Sequence, residues 1–163
     1  MLGLRNNKIM MKHHINDFTP VLVSLINTGR SNPYILGIIL TESHFRNSYQ
    51  RAKEYILWFL LYLFSPEKVH KLSVGIAQIQ IRHWVNLNFI ESHRPSLSSL
   101  QKMMNPYLNY DVCSAYLDTY LKQNISLENI SVIYRGRSGM YYCKLLKSAY
   151  NYVINLKAAQ HIA

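Results

Sequence analysis

Acidic residues, cysteines and long apolar runs are all scarce in this chain, and each shortage excludes something. Eight Asp+Glu face 18 Lys+Arg, so a catalytic carboxylate must come from Asp17, Glu42, Glu54, Glu67, Glu91, Asp111, Asp118 or Glu128. Two cysteines, Cys113 and Cys143, cannot build a disulfide scaffold or a four-thiolate zinc site. A single disulfide between them and a pair of buried thiols both stay open. Six Gly and five Pro exclude collagen-like and Pro-rich low-complexity chains. The longest apolar run, Tyr55 to Phe64, would rise about 15 Å as a helix, about half of a hydrocarbon core, so it cannot span a bilayer. A buried helix is its first reading and a membrane-contacting face its second. Met1 to His14 is basic but holds no apolar stretch or small-residue cleavage pattern, so no signal peptide is expected.

What is present points to a folded, basic protein. Hydrophobic residues make up 49% and charged residues 16% of 163 positions, which excludes intrinsic disorder and predicts one domain over 1–163, with its core at about 16–157. At this length folding buries roughly 70% of the unfolded surface, enough for a core without covalent staples. The formal net charge of +10 favours an anionic partner: nucleic acid, acidic lipid or a cell-wall polymer.

Helical periodicity dominates. Asn16 or Asp17 can cap a helix to about Asn27, and Thr28 to Asn32 breaks it. Pro33 suits the first turn of a second helix ending near Glu42. Further helices are predicted over Ser48 to Phe64, Ser98 to Met104, Asp111 to Gln123, Leu127 to Tyr134 and Met140 to Leu156. Leu72 to Ile81 reads as a short strand or an irregular turn. The fold class is therefore mostly α.

Glu42 ends an apolar helix, which would place its carboxyl where a greasy wall meets a loop. Desolvation there favours the protonated acid, as a general acid near neutral pH requires. By itself Glu42 reads first as a glutamate exposed on a helix end. The seven histidines show no HExxH or related spacing, and neither a phosphate-cradling glycine loop nor a nucleophile elbow occurs, so no metal and no cofactor is expected.

Three segments in order change the weight of Glu42: Thr41-Glu42-Ser43-His44-Phe45, then Ser73-Val74-Gly75-Ile76-Ala77-Gln78-Ile79, then Ile133-Tyr134-Arg135-Gly136 before a last helix. Together they resemble the lysozyme-like, goose-type and soluble lytic transglycosylase superfamily. Its pattern is Glu-Ser at a helix end, Gly-x-x-Gln-Ile/Met, and Tyr-Asn-x-Gly. The resemblance spans about residues 30–155. It implies a lysozyme-like fold and a peptidoglycan lytic transglycosylase, cleaving the β-1,4 bond from N-acetylmuramic acid to N-acetylglucosamine. Glu42 would be the acid/base, with Ser43 supporting it and Tyr134 placing its hydroxyl on it. Ser73 would join Gly75, Gln78 and Gly136 along the substrate, Gly75 for close approach and Gln78 as a hydrogen-bonding amide.

Two departures stand out. The 33 positions from Glu42 to Gly75 are about twice the family's interval, the excess being the Ser48 to Phe64 helix, and Arg135 replaces the usual Asn. Arg135 and Arg137 could instead meet carboxylates of the substrate. The resemblance implies peptidoglycan strands as partner, no nucleic acid, a monomer, and action in the periplasm or cell wall. Export would then run through secretion or conjugation machinery or a phage lysis system. The competing readings are a muramidase-type hydrolase, a catalytically dead relative, and a basic helical DNA-binding module built on residues 16–45.

Overall fold

The computed structural model describes residues 18–44, 48–91, 96–123, 125–135 and 139–160. Asn16, Asp17, Gly136 and Arg137, and the N-terminal stretch to His14, lie outside the described residues.

The architecture is mostly helical. Helix α1 covers 18–27. It is followed by α2 (Pro33–His44), α3 (Ser48–Phe64), a 3-10 turn (Pro66–Lys71), strands β1 (Ser73–Val74) and β2 (Ile79–Gln80), α4 (Ile81–Asn86), α5 (Leu97–Met104), α6 (Pro106–Leu121), α7 (Leu127–Arg135) and α8 (Met140–Gln160). The two strands pair antiparallel, Ser73 with Gln80 and Val74 with Ile79. The Leu72 to Ile81 segment is therefore a tight hairpin.

Helix α2 is the centre. Asn32 starts it, its Oδ1 accepting the Tyr34 N–H at 2.9 Å, with Pro33 at the first helical position where a missing N–H costs nothing. Every residue from Ile35 to Ser43 is buried. The helix packs chiefly on α8 and also on α6. Gly37 makes the α8 approach close, since a Cβ there would stand 3.3 Å from the Tyr150 backbone nitrogen. Burial of side chains such as Leu36, Ile38 and Ile39, each without exposed surface, contributes about 1.5–3 kcal/mol apiece. The α1–α2 turn is tied to α6 by a two-pronged ion pair, Arg30 Nε and Nη2 each 2.8 Å from an Asp111 oxygen.

The helices expected from periodicity are present, with three differences. Helix α6 begins at Pro106, ahead of the expected Asp111, because Asn105 caps it through Oδ1 to the N–H groups of Tyr107 and Leu108. A short helix, α4, and the 3-10 turn were not anticipated. Helix α3 departs most: Trp58 is buried, but Ile56, Phe59, Leu63 and Phe64 are at least half exposed, so it is not a buried helix.

Candidate active site

The last turns of α2 carry three consecutive buried polar residues, Thr41, Glu42 and Ser43. Thr41 resolves its own burial by donating Oγ1 to the Gly37 carbonyl at 2.7 Å. Glu42 is only 3% exposed, and a buried carboxyl needs partners that satisfy it. Two come from the corner between α7 and α8. Arg135, at the end of α7, brings Nε to 3.5 Å from Glu42 Oε1, and the Tyr142 phenol, in the first turn of α8, interacts electrostatically with the same carboxyl. The Arg135 guanidinium also lies over the Tyr142 ring, 4.7 Å from its centroid, so the three groups form one cluster.

Tyr134 joins this cluster from the hairpin side. The expectation that its hydroxyl would be placed on Glu42 is corrected: it donates to the Ala77 carbonyl of the hairpin turn. Cys113, fully buried on α6, stands 4.0 Å from the Tyr134 hydroxyl. Burial pushes the Cys113 thiol up to about 12, with the Tyr134 contact working the other way and Glu42 adding a smaller upward push. Burial also drives both phenols, Tyr134 and Tyr142, well above the usual tyrosine range. All three groups are therefore protonated near neutral pH, the phenols as donors and the thiol as an unreactive core group. Cys113 and Cys143 are free thiols, so no disulfide joins them.

The hairpin turn presents Gly75 and Gln78. Gly75 has φ 75° and Gln78 φ 55°, a left-handed conformation that glycine adopts freely and glutamine does not. A Cβ on Gly75 would stand 2.1 Å from Asn109 Oδ1. The space expected to admit a glycan is thus filled on that side by Asn109, a fully buried residue of α6. Asn109 Oδ1 accepts the Ala77 N–H at 3.4 Å, while its Nδ2 donates to the carbonyls of Met103 and Asn105. Gln78 donates Nε2 to the Gly75 carbonyl at 2.8 Å and, at a long 3.5 Å, to Glu54 Oε2 of α3. Its Oε1 is buried with no partner among the described residues, an unsatisfied acceptor of the rare kind that calls for a specific explanation such as a bound ligand.

Two cavities of about 180 Å³ each flank this hairpin. One is lined by Ser73, Gln78, Arg82, His83, Tyr134 and Arg135, among others. Burial, and secondarily Arg82, lower the His83 pKa below the ordinary imidazole value, which favours the neutral ring at pH 7. The other cavity is lined by Glu54, Trp58, Lys71, Ser73 and Gly75, among others. Ser73 faces both. Glu42 lines neither; Arg135, its ion-pair partner, lines the first.

The structure therefore brings Ser73, Gln78 and Tyr134 to one cavity whose lining residue Arg135 pairs with Glu42, while Ser43 is buried beside Glu42 in the sequence. Sequence reasoning missed Asn109, the Tyr142 contact and the Glu42–Arg135 pair. A usable signal existed only for Arg135, a cation replacing Asn in the third motif. Comparison with known protein families, curated proteins and solved structures finds no match.

Proposed function

We propose that this chain is a lysozyme-like domain acting on peptidoglycan as a lytic transglycosylase, with Glu42 as general acid/base. The observation that carries the reading is the buried Glu42 carboxyl, paired with Arg135 at the end of an apolar helix. Beside it opens a polar cavity shared by Ser73, Gln78 and Tyr134. The unpartnered Gln78 Oε1 suits the N–H of a sugar acetamido group. Arg135 must swing off Glu42 for the carboxyl to reach a glycosidic oxygen, and a muramic lactyl carboxylate in the cavity offers the guanidinium a replacement anion.

In this reaction Glu42 gives its proton to the leaving oxygen as the anomeric C–O bond breaks. It then takes the proton of the muramic C6 hydroxyl as that oxygen attacks the anomeric carbon. Because the nucleophile is tethered to its electrophile, no water and no second carboxylate is needed. The products are 1,6-anhydromuramic ends, one water lighter than hydrolytic ends, formed without metal or cofactor. The enzyme works as a monomer in the periplasm or cell wall, reached by secretion or conjugation machinery or a phage lysis route.

Digestion of purified sacculi with mass analysis of the fragments tests the proposal. Anhydro ends that vanish with Glu42→Gln support it. Ordinary reducing ends would favour a hydrolase using Glu54, whose contact with Gln78 makes it the second carboxyl nearest the hairpin in bonding terms. No wall cleavage together with a gel shift on duplex DNA would favour the nucleic-acid reading.

A further inference from the structure

Helix α3 turns its hydrocarbon outward. Ile56, Leu57, Phe59, Leu60, Leu63 and Phe64 are between 46% and 78% exposed. At about 100° per residue they fall within an arc of about 160° on one side of the helix. The opposite side is the docked one, with Trp58 buried and stacked on Tyr62 at 5.1 Å between centroids. A face this apolar on a protein surface marks an interaction site.

Charge identifies the occupant. On the outward side one turn before Ile56 lies exposed Lys53, packed over the Tyr49 ring at 4.3 Å, and exposed Lys68 and Lys71 follow in the 3-10 turn. Glu54 is turned the other way, toward Gln78. The face is therefore apolar with Lys53 at its start and exposed Lys68 in the chain just after it, on a protein of net charge +10. A second copy would bring the same cations together, whereas an anionic bilayer surface complements both features. Among the described residues no helix is long and apolar enough to cross a membrane. An amphipathic helix lying in the interface needs no such length.

We propose that the outer face of α3 docks this protein on anionic lipid bilayers. The apolar side chains enter the headgroup–acyl boundary, and Lys53 and Lys68 snorkel to the lipid phosphates. The proposal stands independently of the catalytic reading.

The test is sedimentation of the full chain with vesicles of phosphatidylcholine alone or with added phosphatidylglycerol. Binding to the anionic vesicles, weakened by salt, is expected. The Leu60→Glu/Phe64→Glu double variant should keep the native circular dichroism and lose at least about a hundredfold in partitioning, about tenfold per withdrawn side chain. Lys53→Gln/Lys68→Gln, which leaves the apolar face intact, should lose about fivefold per lysine. No binding to anionic vesicles, equal binding to neutral ones, or binding untouched by either double variant would overturn the proposal. So would a dimer in buffer that Leu60→Glu dissociates, since the face would then belong to a second copy.

Discussion

Helices α2 and α3 are the two most apolar stretches of the chain, and they meet opposite fates. From Ile35 to Ser43 helix α2 is buried all round, whereas α3 buries Trp58 and leaves an apolar side to solvent. Hydropathy does not separate them; neighbours do. Helix α2 has α8 against it at the close distance Gly37 permits, while α3 packs mainly on the 3-10 turn that follows it. Its inward contacts are few and specific, including the Glu54 contact to Gln78. The catalytic candidate sits on the inward helix and the docking candidate on the outward one.

Substitutions can break or sharpen this contrast, beginning with the largest effect. Glu42→Gln should fold and lose roughly 10²–10⁴-fold in wall-cleaving turnover, the worth of general acid–base help. Residual activity near wild type in fragment analysis would detach the chemistry from α2. Ile39→Ala on the same helix should destabilise by about 2–5 kcal/mol in chemical denaturation, because a fully buried side chain leaves a cavity behind.

Next comes the pH dependence of the buried cluster. The Cys113 thiol is raised in the folded state from 9 to about 12. Above pH 9 the unfolded chain releases that proton and the folded chain does not. The stability Cys113 contributes is thus complete below pH 9 and is lost progressively as pH climbs toward 12. Buried Tyr134 and Tyr142 act in the same direction. Cys113→Ala should flatten part of this alkaline slope in thermal melts, and an unchanged slope would place the titration elsewhere.

Smaller effects come from the phenols. Tyr142→Phe and Tyr134→Phe should each cost no more than about 1.5 kcal/mol of stability. Only Tyr142→Phe, which removes the hydroxyl that interacts most directly with the Glu42 charge, should shift the pH profile of turnover strongly; equal shifts would mean Ala77 and Glu42 are tightly coupled. At the small end, Leu63→Ala on the outer side of α3 should move stability by less than about 0.5 kcal/mol. A loss comparable to Ile39→Ala would show that α3 is covered after all.

The helices were legible because their apolar spacing and their Pro and Gly stops are local. The start of α6 was legible too, in Asn105 and Pro106, but the aromatic run that follows lacks a clean period and drew attention to Asp111. Glu42, Gln78 and Tyr134 could be ordered along the chain, yet the chain order could not say where the Tyr134 hydroxyl is placed. That depends on the corner between α7 and α8, where Tyr134 and Tyr142 are eight positions apart and Tyr134 turns to Ala77. Asn109 was invisible for the same reason: one asparagine in a helix carries no pattern, and its role exists only once α6 lies against the hairpin.

The turn from Gly75 to Gln78 is gripped from afar. Asn109 holds it across 32 positions of chain, Glu54 across 24 and Tyr134 across 57. Contacts of such separation form only after the loops between them have closed, and so they come late when a chain folds. A left-handed glutamine is not a conformation that four residues keep by themselves. The cavity beside it therefore takes shape only once helices from three distant stretches have arrived.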